Sequence, residues 1–140
     1  MIRMPTPCSE KVFLVEDNLE ISRMYERAFR LHGHQVEIAY DGETALEKIK
    51  AADPVPNAIV LDVMIPHMNG ADLLRELRAD PRLAKVPVAI LTNSFHKDDA
   101  DQFFALGADL YLVKIEHQSK QVVEQIEALI HKHRGQIQHE

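Results

Sequence analysis

Short apolar runs alternate along this chain with longer stretches in which apolar residues return every three or four positions. KVFLV (Lys11–Val15), QVEIA (Gln35–Ala39), AIVLD (Ala58–Asp62), VPVAIL (Val86–Leu91) and LYLV (Leu110–Val113) have the length and composition of strands. Helical patterns fill the intervals. Asn18 is a candidate N-cap for a helix that turns Ile21, Met24, Tyr25, Ala28 and Leu31 to one face and stops at Gly33. Asp41 is placed to cap a short helix with Ala45, Leu46 and Ile49 on one side, and Pro54 and Pro56 mark the loop after it. Gly70 opens a helix to Arg78 with Leu73, Leu74 and Leu77 inward, which Pro81 breaks. A helix around Asp99–Leu106 ends at Gly107, and a last one over Ser119–His133 buries Val122, Ile126, Leu129 and Ile130.

Five strand–helix repeats with strands apolar on both faces predict an α/β fold whose parallel sheet is covered on both sides. Right-handed crossovers leave few arrangements. The commonest is the doubly wound, flavodoxin-like order 2-1-3-4-5, which places a ligand site beyond the carboxyl ends of the strands, where the winding reverses between strands 1 and 3.

Composition narrows the function classes. The 140 residues are the length of one domain, with 46% apolar. The expected organisation is a polar leader over 1–10, one domain over 11–134 and a tail over 135–140, with no room for an output domain. A formal charge of −6 argues against an electrostatic grip on nucleic acid or a polybasic membrane anchor. The single cysteine, Cys8, builds no internal disulfide and suits a reducing cytoplasm. The opening MIRMPTPCSE lacks the apolar core of a signal peptide, and no apolar run approaches a membrane span.

The candidate chemistry stands at the carboxyl ends of the strands: Glu16 and Asp17 after the first, Asp62 after the third, Thr92 after the fourth and Lys114 after the fifth. Three carboxylates in one cleft repel and call for a cation, and oxygen ligands with water favour a hard ion such as Mg²⁺. A lysine and a hydroxyl donate to an anion's oxygens. Together these groups suit a phosphoryl group, with Asp62 as nucleophile and aspartyl phosphate as product. Singly each is weak: Asp17 alone reads equally well as a helix cap, and Thr92, Lys114 and Tyr111 as turn, surface and core-edge residues. The force lies in their joint register.

LVEDN (Leu14–Asn18), LDVMIPHMNG (Leu61–Gly70), ILTNS (Ile90–Ser94) and GADLYLVK (Gly107–Lys114) carry a resemblance to the receiver domain of two-component response regulators, spanning Lys11 to about His133. The resemblance implies that Asp62 is the phospho-acceptor and that Asp17 binds Mg²⁺ directly. It implies that Glu16 does so mainly through water, with the Met64 carbonyl as a further ligand. Lys114 pairs with the acceptor and then with the phosphoryl oxygens; Thr92 bonds the phosphoryl group and moves toward it. Tyr111 holds the place of an aromatic that turns inward on activation. Met64, Asn93 and Ser94 stand where the phosphate's lifetime is tuned. It further implies a sensor histidine kinase as donor, autodephosphorylation, and a switching surface of the fourth helix, fifth strand and fifth helix. That surface would serve a target protein, or the chain would relay to a histidine phosphotransfer protein, as a monomer or weak dimer in the cytoplasm.

Two positions depart from the family pattern. Ile115 replaces the usual proline after the lysine; a cis bond before a non-proline costs about 3–4 kcal/mol, so Lys114–Ile115 is expected to be trans. Asn93 replaces a small residue and is expected to alter phosphate lifetime by narrowing access. Two other classes fit less well. A haloacid-dehalogenase-type phosphatase needs a second acid two residues beyond the nucleophile, where Met64 stands; a flavodoxin-like FMN binder needs a phosphate loop where EDNLE is acidic. The pairs His32/His34 and His131/His133 are two apart, which on a helix points them to different faces, and no zinc site is expected from them.

Overall fold

A computed structural model describes residues 10–93, 96–114 and 118–138. The expectations for Cys8 and its leader, Ser94, the Lys114–Ile115 bond and the last two residues lie outside the described residues. In chain order the elements are β1 (Lys11–Val15), α1 (Leu19–Leu31), β2 (Gln35–Ala39), α2 (Gly42–Ala51), β3 (Ala58–Asp62), α3 (Gly70–Ala79), β4 (Val88–Thr92), α4 (Lys97–Ala105), β5 (Leu110–Val113) and α5 (Ser119–Gln138). The strands form one parallel sheet in the order β2-β1-β3-β4-β5, as the strand–helix alternation predicts.

The two-residue period of the strands divides the core in two. Phe13, Val15, Ile59, Leu61, Val88 and Ile90 face Ala45 and Ile49 of α2, Leu73, Leu74 and Leu77 of α3, and Phe103 of α4. Val12, Leu14, Val60, Ala89 and Leu91 face Tyr25 and Phe29 of α1 and Val122, Val123, Ile126 and Ile130 of α5. Three helices start on side-chain caps: Asn18 accepts from Ile21 N at 3.0 Å, Asp41 from Thr44 N at 2.8 Å, and Asn69 from Asp72 N at 2.9 Å.

Several boundaries differ from the sequence reading, each for a local reason. β4 begins at Val88, because Val86 N turns back to Leu83 O and Pro87 has no N–H to give the ladder. α4 begins at Lys97. α5 continues past His133 to Gln138. The buried face of α1 is Ser22, Tyr25 and Phe29, whereas Met24 and Leu31 are exposed. Ser22 tolerates this burial because its hydroxyl donates to Leu19 O at 3.0 Å.

The start of α2 locks against the loop after β3. Gly42 N donates to Pro66 O at 3.0 Å, and a Cβ on Gly42 would stand 2.2 Å from the Met68 carbonyl oxygen. Helix propensity alone would make Gly42→Ala stabilising by up to about 1 kcal/mol. The backbone clash wins, so the expected result is a loss of about 1–3 kcal/mol, read as a lower urea midpoint. A raised midpoint would show that the loop yields freely.

Candidate metal and phosphoryl site at the sheet's carboxyl edge

The carboxyl ends of β1, β3, β4 and β5 converge, and they bring the expected residues together. Glu16 follows β1 and is 1% exposed; Asp62 ends β3 at 7% and Thr92 ends β4 at 9%. Asp17 is exposed at the rim. Carboxylate oxygens of Glu16, Asp17 and Asp62 lie within 4.8 Å of one another. Lys114 reaches in from the end of β5, with Nζ donating to Glu16 Oε1 at 2.5 Å and to Asp62 Oδ2 at 3.0 Å. Backbone amides take up the remaining oxygens: Asn18 N donates to Glu16 Oε2 at 3.3 Å, and Met64 N to Asp62 Oδ1 at 3.2 Å.

The electrostatics follow from burial. Desolvation, a hydrogen bond with Asp62 and that carboxylate's charge push Glu16 up to about 7, although Lys114 pulls the other way. Burial opposes the charge on Lys114, but its bonds to Glu16 and Asp62 outweigh this and hold its pKa above the ordinary lysine value. One ammonium thus faces three carboxylates. An all-oxygen donor set in which burial and a neighbouring carboxylate disfavour the charge on one acid fits a hard divalent cation.

Thr92 and Tyr111 are also brought together. The Tyr111 pKa is raised by burial, against a hydrogen bond from the Thr92 side chain. Its ring neighbours those of Phe103 and Phe104 of α4, at centroid distances of 6.1 and 6.4 Å. Met64 is 78% exposed, and Asn93 is exposed beside Thr92. The loop from β3 to α3, which carries Met64, is held by Gly70 N donating to Val63 O at 3.2 Å, with His67 in the left-handed region at φ 65°.

One participant escaped the sequence reading. Tyr25 reads only as a core residue, yet it is 1% exposed and close enough to sense the charges of Lys114, Glu16 and Asp62, its pKa raised chiefly by burial. Arg78, away from this edge near the end of α3, was given no role by the sequence reading either. Its guanidinium donates to Gly107 O at 3.1 and 2.8 Å, Leu83 O at 3.2 Å, Val86 O at 2.8 Å and Asp109 Oδ2 at 3.1 Å, fixing the entry to both β4 and β5. No periodicity signals either role.

An acidic, lysine-bridged cleft at the switch point of a five-stranded parallel sheet defines a receiver-type fold. Residues 12–127 match the model of the response regulator receiver domain, and the chain belongs to that family. It is 38% identical over 106 residues to the transcriptional regulatory protein PrrA of Mycobacterium leprae, covering 76% of this chain; it spans only 44% of that regulator's length. Among solved structures, it is similar to the phosphorylated cyanobacterial phytochrome response regulator RcpA (TM-score 0.74, 28% identity, 86% of this chain and 91% of that one). It is also similar to the receiver domain of the sensor histidine kinase PA1611 of Pseudomonas aeruginosa PAO1, solved with a magnesium ion in its active-site cleft (TM-score 0.78, 25% identity, 88% and 98%).

Proposed function

We propose that this chain accepts a phosphoryl group on Asp62 from the phosphohistidine of a sensor histidine kinase, in the presence of Mg²⁺. The observation that carries the reading is the bridge from Lys114 Nζ to Asp62 Oδ2, beside a second buried carboxylate and a third at the rim. An Asp62 oxygen attacks phosphorus and the phosphorus–nitrogen bond to the donor imidazole breaks, which gives an acyl phosphate. Water later attacks the same phosphorus and returns the carboxylate and inorganic phosphate. Phosphoryl transfer depends on position and charge neutralisation more than on covalent help from side chains.

Asp17, the Met64 carbonyl, Asp62 and, mainly through water, Glu16 would hold the ion, which neutralises charge on the carboxylates and the transferred oxygens. Lys114 follows the charge from carboxylate to phosphoryl oxygens. Thr92 donates to the phosphoryl group, and its bond with Tyr111 passes that change to the ring beside Phe103 and Phe104, biasing the α4-β5-α5 face. Met64, Asn93 and, by the resemblance alone, Ser94 are read as the residues that set the phosphate's lifetime.

The domain is read as residues 11–134, acting in the cytoplasm as a monomer or weak dimer. Its output is a target docked on that face or a histidine phosphotransfer protein. No helix among the described residues is long and apolar enough to cross a membrane. The test is intact mass after incubation with acetyl phosphate. The expected result is a Mg²⁺-dependent gain of one phosphoryl group, absent in Asp62→Asn. A labelled Asp62→Asn protein would remove Asp62 from the acceptor role.

A further inference from the structure

The sheet stops short of some of the residues it brings together. The ladder between β1 and β3 ends at Val15 and Leu61, and that between β1 and β2 at Val15 and Ala39. Asp17 and the loop that carries Met64 lie beyond these last rungs, so strand pairing does not set their separation. A backbone segment outside the acidic cluster touches both sides. Ala39 O accepts from Glu16 N at 3.1 Å, and three residues further on Gly42 N donates to Pro66 O at 3.0 Å. The turn from β2 to α2 thus reaches from the Glu16–Asp17 side to the loop after Asp62.

We propose that the turn Ala39–Gly42 is a strap that sets the spacing between the two halves of the candidate metal site, with Gly42 as its positioning residue. The proposal rests on the reading of the Met64 carbonyl as a ligand beside Asp17 and Asp62. The strap is stiff on its α2 side. Asp41 caps that helix, accepting from Thr44 N at 2.8 Å and from Thr44 Oγ1 at 2.9 Å, and Ala45 and Ile49 are wholly buried beneath it. The loop is the softer partner. Met64, Pro66, His67 and Asn69 are exposed, while Ile65 and, in part, Met68 pack into the core.

The contact leaves room for glycine alone. A Cβ at position 42 would stand 2.2 Å from Met68 O and 2.6 Å from Met68 Cβ. Neither atom is the end of a flexible side chain, so a larger residue moves the loop rather than a rotamer. Between the two contact points His67 takes φ 65°. A histidine reaches that region at a cost, and such a conformation persists where its surroundings impose it. Small displacements matter at this place. Met64 stands two residues before Pro66, and its N–H donates to Asp62 Oδ1 at 3.2 Å. Mg²⁺ demands near-ideal octahedral geometry with bonds of about 2.0–2.1 Å. A shifted loop therefore mis-sets the Met64 backbone and the Asp62 carboxylate together, while Glu16 and Asp17 stay with β1.

The test follows the amide NMR spectrum of the full, isotope-labelled chain, first metal-free and then titrated with Mg²⁺. In Gly42→Ala the Met64 amide is expected to shift in the metal-free protein, and Mg²⁺ affinity to fall at least about tenfold. Ile49→Val takes a buried methylene from the other end of α2 and lowers stability without reaching the loop, so its affinity should stay within about twofold of wild type. His67→Gly frees the loop's own backbone but keeps the strap, and should also stay within about twofold. Circular dichroism checks that each variant folds. An unmoved Met64 amide with unchanged affinity in Gly42→Ala, an equal loss in Ile49→Val, or a comparable loss in His67→Gly would each overturn the proposal. The metal reading fails separately: an affinity that Asp17→Ala leaves intact would place the ion elsewhere, and the Met64 amide would then decide the strap alone.

Discussion

Replacing Lys114 with methionine is expected to cut the rate of Asp62 phosphorylation by about 10²–10³-fold and to destabilise the metal-free fold by about 3 kcal/mol at pH 8. The chain of causes begins with burial. The Lys114 side chain is 7% exposed, and those of Glu16 and Asp62 are 2% and 9% exposed. Methionine keeps the length and removes the charge, so the two carboxylates lose the ammonium they share. Bulk water cannot replace it where they are buried, and a buried charge left without its partner is costly. The carboxylates retain one remedy, which is to take up protons. The loss of stability should therefore shrink as the pH falls toward 5, and saturating Mg²⁺ should restore part of it at pH 8. Urea midpoints at the two pH values, with and without Mg²⁺, measure the fold. The initial rate of mass gain from acetyl phosphate measures the chemistry. A variant equally stable at both pH values would show that Lys114 is not what compensates the buried acids. A normal rate would remove it from the proposed transfer.

The fold was legible because burial on both faces leaves a plain mark. All five residues of β3 and of β4 are buried, so each strand reads as an apolar run, broken only at its last residue, with no competing period. Where hydrophobicity and burial part company, the reading failed. Ser22 is buried because it bonds its own helix, so the true face of α1 hid behind a polar residue, and Met24 and Leu31 were expected to face inward in its place. β4 was begun two residues early because Val86 and Pro87 are apolar, although a proline cannot join the ladder there. The candidate site was legible because a parallel sheet aligns its strand ends, so chemistry at those ends converges by topology alone. Its finer balance was not legible. Nothing in the spacing indicates that Lys114 approaches Glu16 more closely than Asp62, or that Tyr25 lies within reach of these charges. The His32–Glu127 contact joins residues 95 apart, through a glycine turn and a helix crossing that no local pattern encodes.

Glu16 gives the metal-free protein a pH dependence opposite to that of most carboxylates. Its folded-state pKa of about 7 stands above the ordinary value of 4.5, chiefly because it is buried. Below pH 4.5 the carboxyl is protonated whether the chain is folded or not, and its burial is not penalised. Between 4.5 and about 7 the unfolded chain releases the proton while the folded chain keeps it, so the unfolded state binds fewer protons and stability falls as pH rises. Above about 7 the loss is complete; a shift of this size corresponds to about 3 kcal/mol. Asp41, lowered by its bonds from Thr44, acts with the opposite sign and outside this window: its contribution is present above its usual value of 3.8 and is lost only in stronger acid. Denaturant midpoints between pH 5 and pH 8 should therefore decline in the metal-free wild type and stay nearly flat in Glu16→Gln, with histidine titration common to both. Mg²⁺ binds the ionised acids and not the protonated one, so saturating Mg²⁺ should remove most of the decline and its affinity should itself rise over the same interval. If wild type and Glu16→Gln declined together, the proton would reside elsewhere. If Mg²⁺ left the slope unchanged, the ion would not engage Glu16. Should both hold as expected, the buried acid that weakens the metal-free domain at neutral pH is the one that makes it ready for the cation on which the proposed phosphorylation of Asp62 depends.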